Sequence, residues 1–326
     1  MRLAITPIAL GVCACGGQIQ SGADDGGAPL TETSVQHGPA CTQTSCASLV
    51  QTISSVSTAE GEQLIPTGLF VGGGFIYVST PTHLVRAPVG GGAIQVVAPA
   101  SLINSIVADD QNVYWSTLDH PAVYRMAHSG GVPIQVATFT VSAGPEGLFI
   151  DATNVYWTDS GSLWRAPISG GAPVLVTAVS SGNPSTLVDG ALFGPDCTRV
   201  AVASSGTVVI GYEMIADATR CYTVDNGVVS MPIDGGETKV LTPGGNAGDA
   251  TAFDGQRMMI DEMGVYLRRI GYPETDKLIR VPTSGGDPID VTTDGVLAFE
   301  VASDTIYWAT LSNGPVVLKS MPKYAK

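Results

Sequence analysis

The stretch from Asp151 to Thr177, DATNVYWTDSGSLWRAPISGGAPVLVT, constrains the fold more than any other, because most of the chain repeats it imperfectly. It divides into VYWT (155–158), SLWRAPI (162–168) and PVLVT (173–177), three short β-branched or aromatic runs bounded by turn residues. Asp151 to Asn154 supplies an Asx-type turn, and Ser169, Gly170 and Gly171 supply the positive-φ residues of a tight hairpin. With the preceding run 147–150, the unit reads as a four-stranded antiparallel meander.

Its third strand and hairpin recur as RAPVGG (86–91), RMAHSGG (125–131), RAPISGG (165–171), SMPIDGG (230–236), RVPTSGG (280–286) and a truncated SMPK (320–323). The second strand recurs as IYVST (76–80), VYWST (113–117), VYWTD (155–159), VVIGY (208–212), VYLRR (265–269) and IYWAT (306–310). A period of about 40 residues suits a propeller blade, and a lone meander cannot bury both of its faces. The sequence therefore predicts an all-β, six-bladed β-propeller of four-stranded antiparallel blades over residues 41–326. The sixth unit lacks an outer strand, whereas SLVQTIS (48–54) is a strand-like run without a blade of its own. Pairing the two would close the ring and remove exposed edges.

The Tyr156-Trp157-Thr158-Asp159 run, with Tyr114-Trp115-Ser116-Thr117 and Tyr307-Trp308-Ala309-Thr310, resembles the YWTD propellers of the LDL-receptor type and the related bacterial, TolB-like six-bladed propellers. The fourth unit lacks the aromatic pair, and Leu267 replaces Trp in the fifth. The resemblance implies a fold, and a recognition module more than an enzyme.

Arg2, an apolar run from Leu3 to Val12 and then Cys-Ala-Cys-Gly-Gly read as an export signal. Val12-Cys13-Ala14-Cys15 resembles a bacterial lipobox, so residues 1–14 are expected to be a lipoprotein signal peptide and Cys15 the lipidated N-terminus. Residues 15–40, poor in large apolar groups, are expected to form a disordered tether. Residue 17 is not Asp, which by the family rule favours the outer membrane of a bacterial cell envelope, periplasmic or surface-exposed. In such a compartment Cys41, Cys46, Cys197 and Cys221 should form disulfides, Cys41 with Cys46 and Cys197 with Cys221 being the favoured pairing. The net charge of −14 argues against nucleic acid and against anionic membrane surfaces. Membrane association is expected only through the lipid, and the chain is expected to be monomeric.

In each unit the first turn and the Gly-Gly hairpin keep nearly constant length. The connections between strands two and three, and between blades, do not; meander geometry gathers them on one face, where binding is expected. The candidates there are His83, Asp119, His120, Asp159, Tyr212, Glu213, Arg220, Tyr222, Arg268, Arg269, Tyr272, Glu274 and Asp276. Tyr212 to Asn226 reads as a long insertion of the fourth unit, and Tyr and Arg often anchor protein interfaces. The ligand is expected to be a protein or a saccharide. The tryptophans recur at equivalent strand positions, which assigns them to blade packing rather than to a sugar platform. No catalytic residue is assigned, because no nucleophile motif or complete metal-ligand set is visible; the alternative is a metal-assisted hydrolase or lyase in the central channel around His83, His120, Asp119 and Asp159. No cofactor is expected, a channel calcium ion being left open. Asp110, Asp151, Asp261 and Asp304 read as turn caps.

Overall fold

The computed structural model describes residues 38–56, 66–99, 102–139, 147–159, 162–178, 186–188, 191–193, 199–201, 214–225, 227–244, 253–270, 276–311 and 316–325. Residues 1–37, which hold the expected signal peptide and nearly all of the expected tether, lie outside them. The first repeat folds as strands Gly68–Gly72, Phe75–Ser79, His83–Pro88 and Gln95–Pro99, paired in chain order and antiparallel. The second (Ile103–Ala108 to Ile134–Thr138) and third (Leu148–Ile150 to Val174–Ala178) repeat that meander. So do the fourth (Met214–Ala216 to Lys239–Pro243) and the fifth (Phe253–Asp261 to Ile289–Asp290). The last blade comprises Ala298–Ala302, Thr305–Leu311 and Val316–Pro322. Its fourth strand is Gln51–Val56, which pairs antiparallel with Val316–Pro322 and closes the ring as predicted. This strand starts a little later than the sequence suggests, because a 3-10 turn occupies Ala47–Leu49.

Six four-stranded blades thus match the six repeats. Between the third and the fourth lies a three-stranded sheet, Thr186–Val188, Ala191–Phe193 and Arg199–Ala201, which the repeat count does not contain. Its first strand adjoins Met214–Ala216, as Gly68–Gly72 adjoins Ile103–Ala108, so it takes a place of its own around the axis. It was invisible in the sequence because it carries neither the Tyr-Trp pair nor the Gly-Gly hairpin. The fourth repeat is corrected as well. Its second strand is Arg220–Val224 and not VVIGY (208–212), which falls outside the described residues. DATRCY (217–222) copies DATNVY (151–156), so what reads as an insertion is a blade's own first turn and second strand.

That copied segment carries a local device. Asp151 accepts the backbone N–H groups of Thr153 and Asn154 on Oδ1 (2.7 and 2.8 Å) and the Tyr156 hydroxyl on Oδ2 (2.6 Å). Asp217 does the same for Thr219, Arg220 and Tyr222, and Asp109 for Gln111, Asn112 and Tyr114. The cap of the second repeat is therefore Asp109, not Asp110. Each carboxylate closes the first turn and satisfies a tyrosine buried between blades, which such a hydroxyl requires. Burial alone would push the Asp217 carboxyl up, but bonds from Tyr222, Thr219 and the Arg220 N–H outweigh it and hold it below the usual range. The recurrent arginines face the same tyrosines across the sheet, Arg86 opposite Tyr77, Arg125 opposite Tyr114 and Arg280 opposite Tyr266. In the fourth repeat Ser230 stands at that position, and Arg220 reaches it from the neighbouring strand instead.

The first repeat has no aspartate. Gly73 occupies the turn at φ +56°, and His128 of the second blade fills the space, where a Cβ would lie 2.1 Å from its ring. The imidazole accepts from the Tyr77 hydroxyl on Nδ1 (2.8 Å) and donates from Nε2 to the Asp109 carbonyl (2.8 Å), the tautomer these partners require.

Blades pack face to face through apolar clusters drawn from neighbouring sheets. Tyr114, Val107 and Val136 of the second meet Trp157, Leu148 and Ile150 of the third. Tyr222 and Ile215 of the fourth meet Met258, Val265 and Leu267 of the fifth. Trp115, Trp157 and Trp308 are buried, as the packing assignment requires. Met258 is a core residue, while Met259 is half-buried and accepts the Val301 N–H on sulfur.

Candidate functional site

Because every inner strand enters from a blade-to-blade connection, those connections and the second-to-third-strand connections emerge at one end of the ring. Between the first and second blades this end opens into a cleft of about 250 Å³, lined by Ala98, Trp115, Thr117, Asp119, His120, Tyr124 and Pro133. Its floor is built by the sheet. Trp115 and Tyr124 are cross-strand neighbours with rings stacked 5.8 Å apart at 22°. Its rim is built by the connection after Thr117, whose hydroxyl donates to the His120 carbonyl at 2.7 Å. Asp119 then accepts the His120 N–H at 2.9 Å and sets Oδ2 3.2 Å from Nδ1 of the exposed imidazole. The cleft thus offers an apolar slot with a carboxylate at its mouth.

Of the residues singled out in the sequence, Asp119 and His120 are brought together here. His83 starts a third strand beside them but is not in the cleft lining; its Nδ1 lies 2.9 Å from the Thr82 hydroxyl. Asp159 is buried at the end of its strand. Arg268 and Arg269 do reach the variable end. Arg268 lies 3.7 Å from Asp276 and donates to the Leu297 carbonyl, and Arg269 donates to Asp290, which also accepts from Lys277. These bonds tie the end of the fifth blade's second strand to the connection before the third, to the outer strand and to the link into the last blade. Arg220 and Tyr222 are corrected. Both belong to the strand that begins at the Asp217 turn, on the constant-turn end, and Tyr222 is 2% exposed. Tyr212, Glu213, Tyr272 and Glu274 lie outside the described residues.

Cys41 and Cys46 are bridged. Cys221 is buried and also disulfide-bonded, while Cys197, assigned to it from the sequence, lies outside the described residues. Among the described residues no group of three or more His, Cys, Asp or Glu is placed to hold a metal ion.

A second cavity was not foreseen from the sequence. Where the inner strands start, a cavity of about 20 Å³ is lined by Thr67, Gly68, Leu69, Ser79, Asn104, Ser105, Ile106 and Arg257, drawn from three blades. Behind it Arg257 donates to Glu300, 6% exposed on the inner strand of the last blade. Burial pushes the Glu300 carboxyl up to about 7, against the pull of the guanidinium. The signal was present, since a charged residue inside AFEVA breaks an apolar inner strand. It was unreadable without knowing which strands face the axis.

The fold is a β-propeller of four-stranded antiparallel blades. The comparisons support the fold and go no further. No family model matches the sequence and no curated protein is similar to it. Among solved structures it is similar to BamB from Moraxella catarrhalis, at 16% identity and a TM-score of 0.51 over 89% of this chain and 95% of that one. It is also similar to the extracellular domain of a hybrid two-component system of B. thetaiotaomicron, at 12% identity and a TM-score of 0.57, over 85% of this chain and 43% of that one. A chain of a nidogen/laminin complex aligns at 15% identity, covering 72% of this chain and 85% of that one, with a TM-score of 0.42.

Proposed function

We propose that the chain is an exported, lipid-anchored interaction module that holds a partner protein on its variable end, with the Trp115–Tyr124 cleft as anchor pocket. The cleft itself carries this reading. Its volume suits one large side chain, below the range of typical small-molecule pockets. Trp115, 1% exposed, offers no ring face to a sugar. With Asp119 at the mouth and a net charge of −14, the matching anchor is a long cationic side chain whose stem lies on Tyr124. Tyr124→Ala and Asp119→Ala should each weaken partner capture from envelope extracts by about tenfold or more, the loss expected at an interface hot spot. Capture of the same proteins at the same yield by both variants would sink the reading.

Anchoring rests on Cys15 and on the tether-like composition of residues 15–40. BamB shares the fold only. Among the described residues no helix is long and apolar enough to cross a membrane. Fatty-acid labelling of the expressed chain should be lost in Cys15→Ser, with the protein moving from the membrane to the soluble envelope fraction. Unchanged labelling in that variant would rule the anchor out.

A further inference from the structure

We infer that the axial cavity at the variable end is a carboxylate site in which Arg257 is shared between Glu300 and a ligand. Three observations meet there. First, among the described residues the one charged group in the lining is cationic, Arg257. Arg257 keeps about a quarter of its side chain exposed (24%), and Glu300 stands behind it rather than in the cavity wall. Second, the guanidinium is under-used. One Nη2 donor goes to Glu300, and Nε is buried with no acceptor among the described residues, a deficit that native interiors rarely keep. Third, the remaining polar lining includes the Ser105 hydroxyl, above the apolar walls of Leu69 and Ile106, while the Thr67 hydroxyl donates to Ser79 and that of Ser79 to the Gly68 carbonyl.

Size then selects among anions. About 20 Å³ accommodates one or two water-sized groups. That suits the two oxygens of a carboxylate, which the planar guanidinium matches in geometry, and not the four of a phosphate. The ligand class is a small carboxylate, or the acidic side chain or C-terminus of a bound peptide. The inference does not rest on the cleft between the first two blades, which lies off the axis.

Acetate and formate serve as probes. The thermal midpoint of the full chain is followed as either salt is added against sodium chloride at matched ionic strength, with sodium phosphate as the larger anion. A saturable rise with acetate and formate, absent with phosphate, is expected. Arg257→Lys keeps the charge beside Glu300 but loses the planar fork, and should weaken the response about tenfold. Ser105→Ala leaves the ion pair intact and should weaken it a few-fold, which decides the matter if the lysine variant does not fold. No effect of acetate, formate or a peptide ending in Asp beyond matched chloride overturns the proposal, and so does a wild-type response in Ser105→Ala. Free carboxylates that fail where a peptide ending in Asp succeeds would assign the site to a partner's acidic group.

Discussion

Arg257→Met should lower stability by about 3–5 kcal/mol at pH 8 and by much less at pH 5, the cost of leaving a buried carboxylate without its counter-charge. Glu300 has its carboxyl pushed up to about 7, first by burial, with Arg257 opposing. Without the guanidinium the carboxyl must be protonated or desolvated alone, and protonation is easy only at low pH. Glu300→Gln isolates the other half. Between its ordinary value of 4.5 and about 7 the folded chain keeps a proton that the unfolded chain releases, so Glu300 stabilises most at the acid end and that contribution is lost as pH rises through 7. Relative to wild type, Glu300→Gln should therefore gain up to about 3 kcal/mol from pH 5 to pH 8. Urea titrations of both chains across that range measure it; a pH-independent difference would show that Glu300 is already ionised throughout. Asp217, Glu262 and Asp294, all held below the usual range, leave this window clear, because their stabilisation is present above their ordinary values of 3.8 to 4.5 and is lost only at lower pH.

Asp151→Ala should cost about 3 kcal/mol, more than the removal of an exposed turn residue, because four donors, the Thr153 hydroxyl among them, lose their acceptor at once. The Tyr156 hydroxyl is 0% exposed and donates to Asp151 Oδ2, while the N–H groups of Thr153 and Asn154 point at Oδ1. Tyr156→Phe should cost only about 1 kcal/mol, since Asp151 keeps its turn partners. Equal losses in the two variants would mean that the tyrosine bond alone matters and that the turn closes without its cap. Chemical denaturation with a single cooperative transition is the measurement, and the Asp217–Tyr222 pair supplies an independent copy of it.

The fold was legible where one residue type does two jobs at fixed spacing. Gly91, Gly130, Gly170, Gly235 and Gly285 all take φ between +84° and +97°, so each hairpin announces itself by the one residue that tolerates that backbone. The closing strand was legible as an apolar run with no partner of its own. The fourth repeat was misread because VVIGY imitates a second strand by composition, while the real one, RCYTV, replaces the Tyr-Trp pair by Cys-Tyr. What marks it is the aspartate five residues before its tyrosine, a spacing shared by Asp109, Asp151, Asp217 and Asp261. Asp119 and His120, placed on the variable end from loop position alone, do line a cleft there. The Arg257–Glu300 pair was not legible, since inner strands look alike in a sequence and only the ring brings these two together.

The seam between the first and last strands gives the ring a mechanical weak axis. Residues 51–56 and 316–322 are joined across nearly the whole chain, and beside them Cys41 N–H donates to the Lys323 carbonyl, Gln43 N–H to Val291 and Ala325 N–H to Pro39. A force applied at residue 38 is therefore carried first by these few bonds and by the Cys41–Cys46 loop, before any blade feels it. Peeling that strip would turn a closed ring into an open arc with two raw flanks. Tension at the N-terminus and loss of the final strand should thus yield the same opened species.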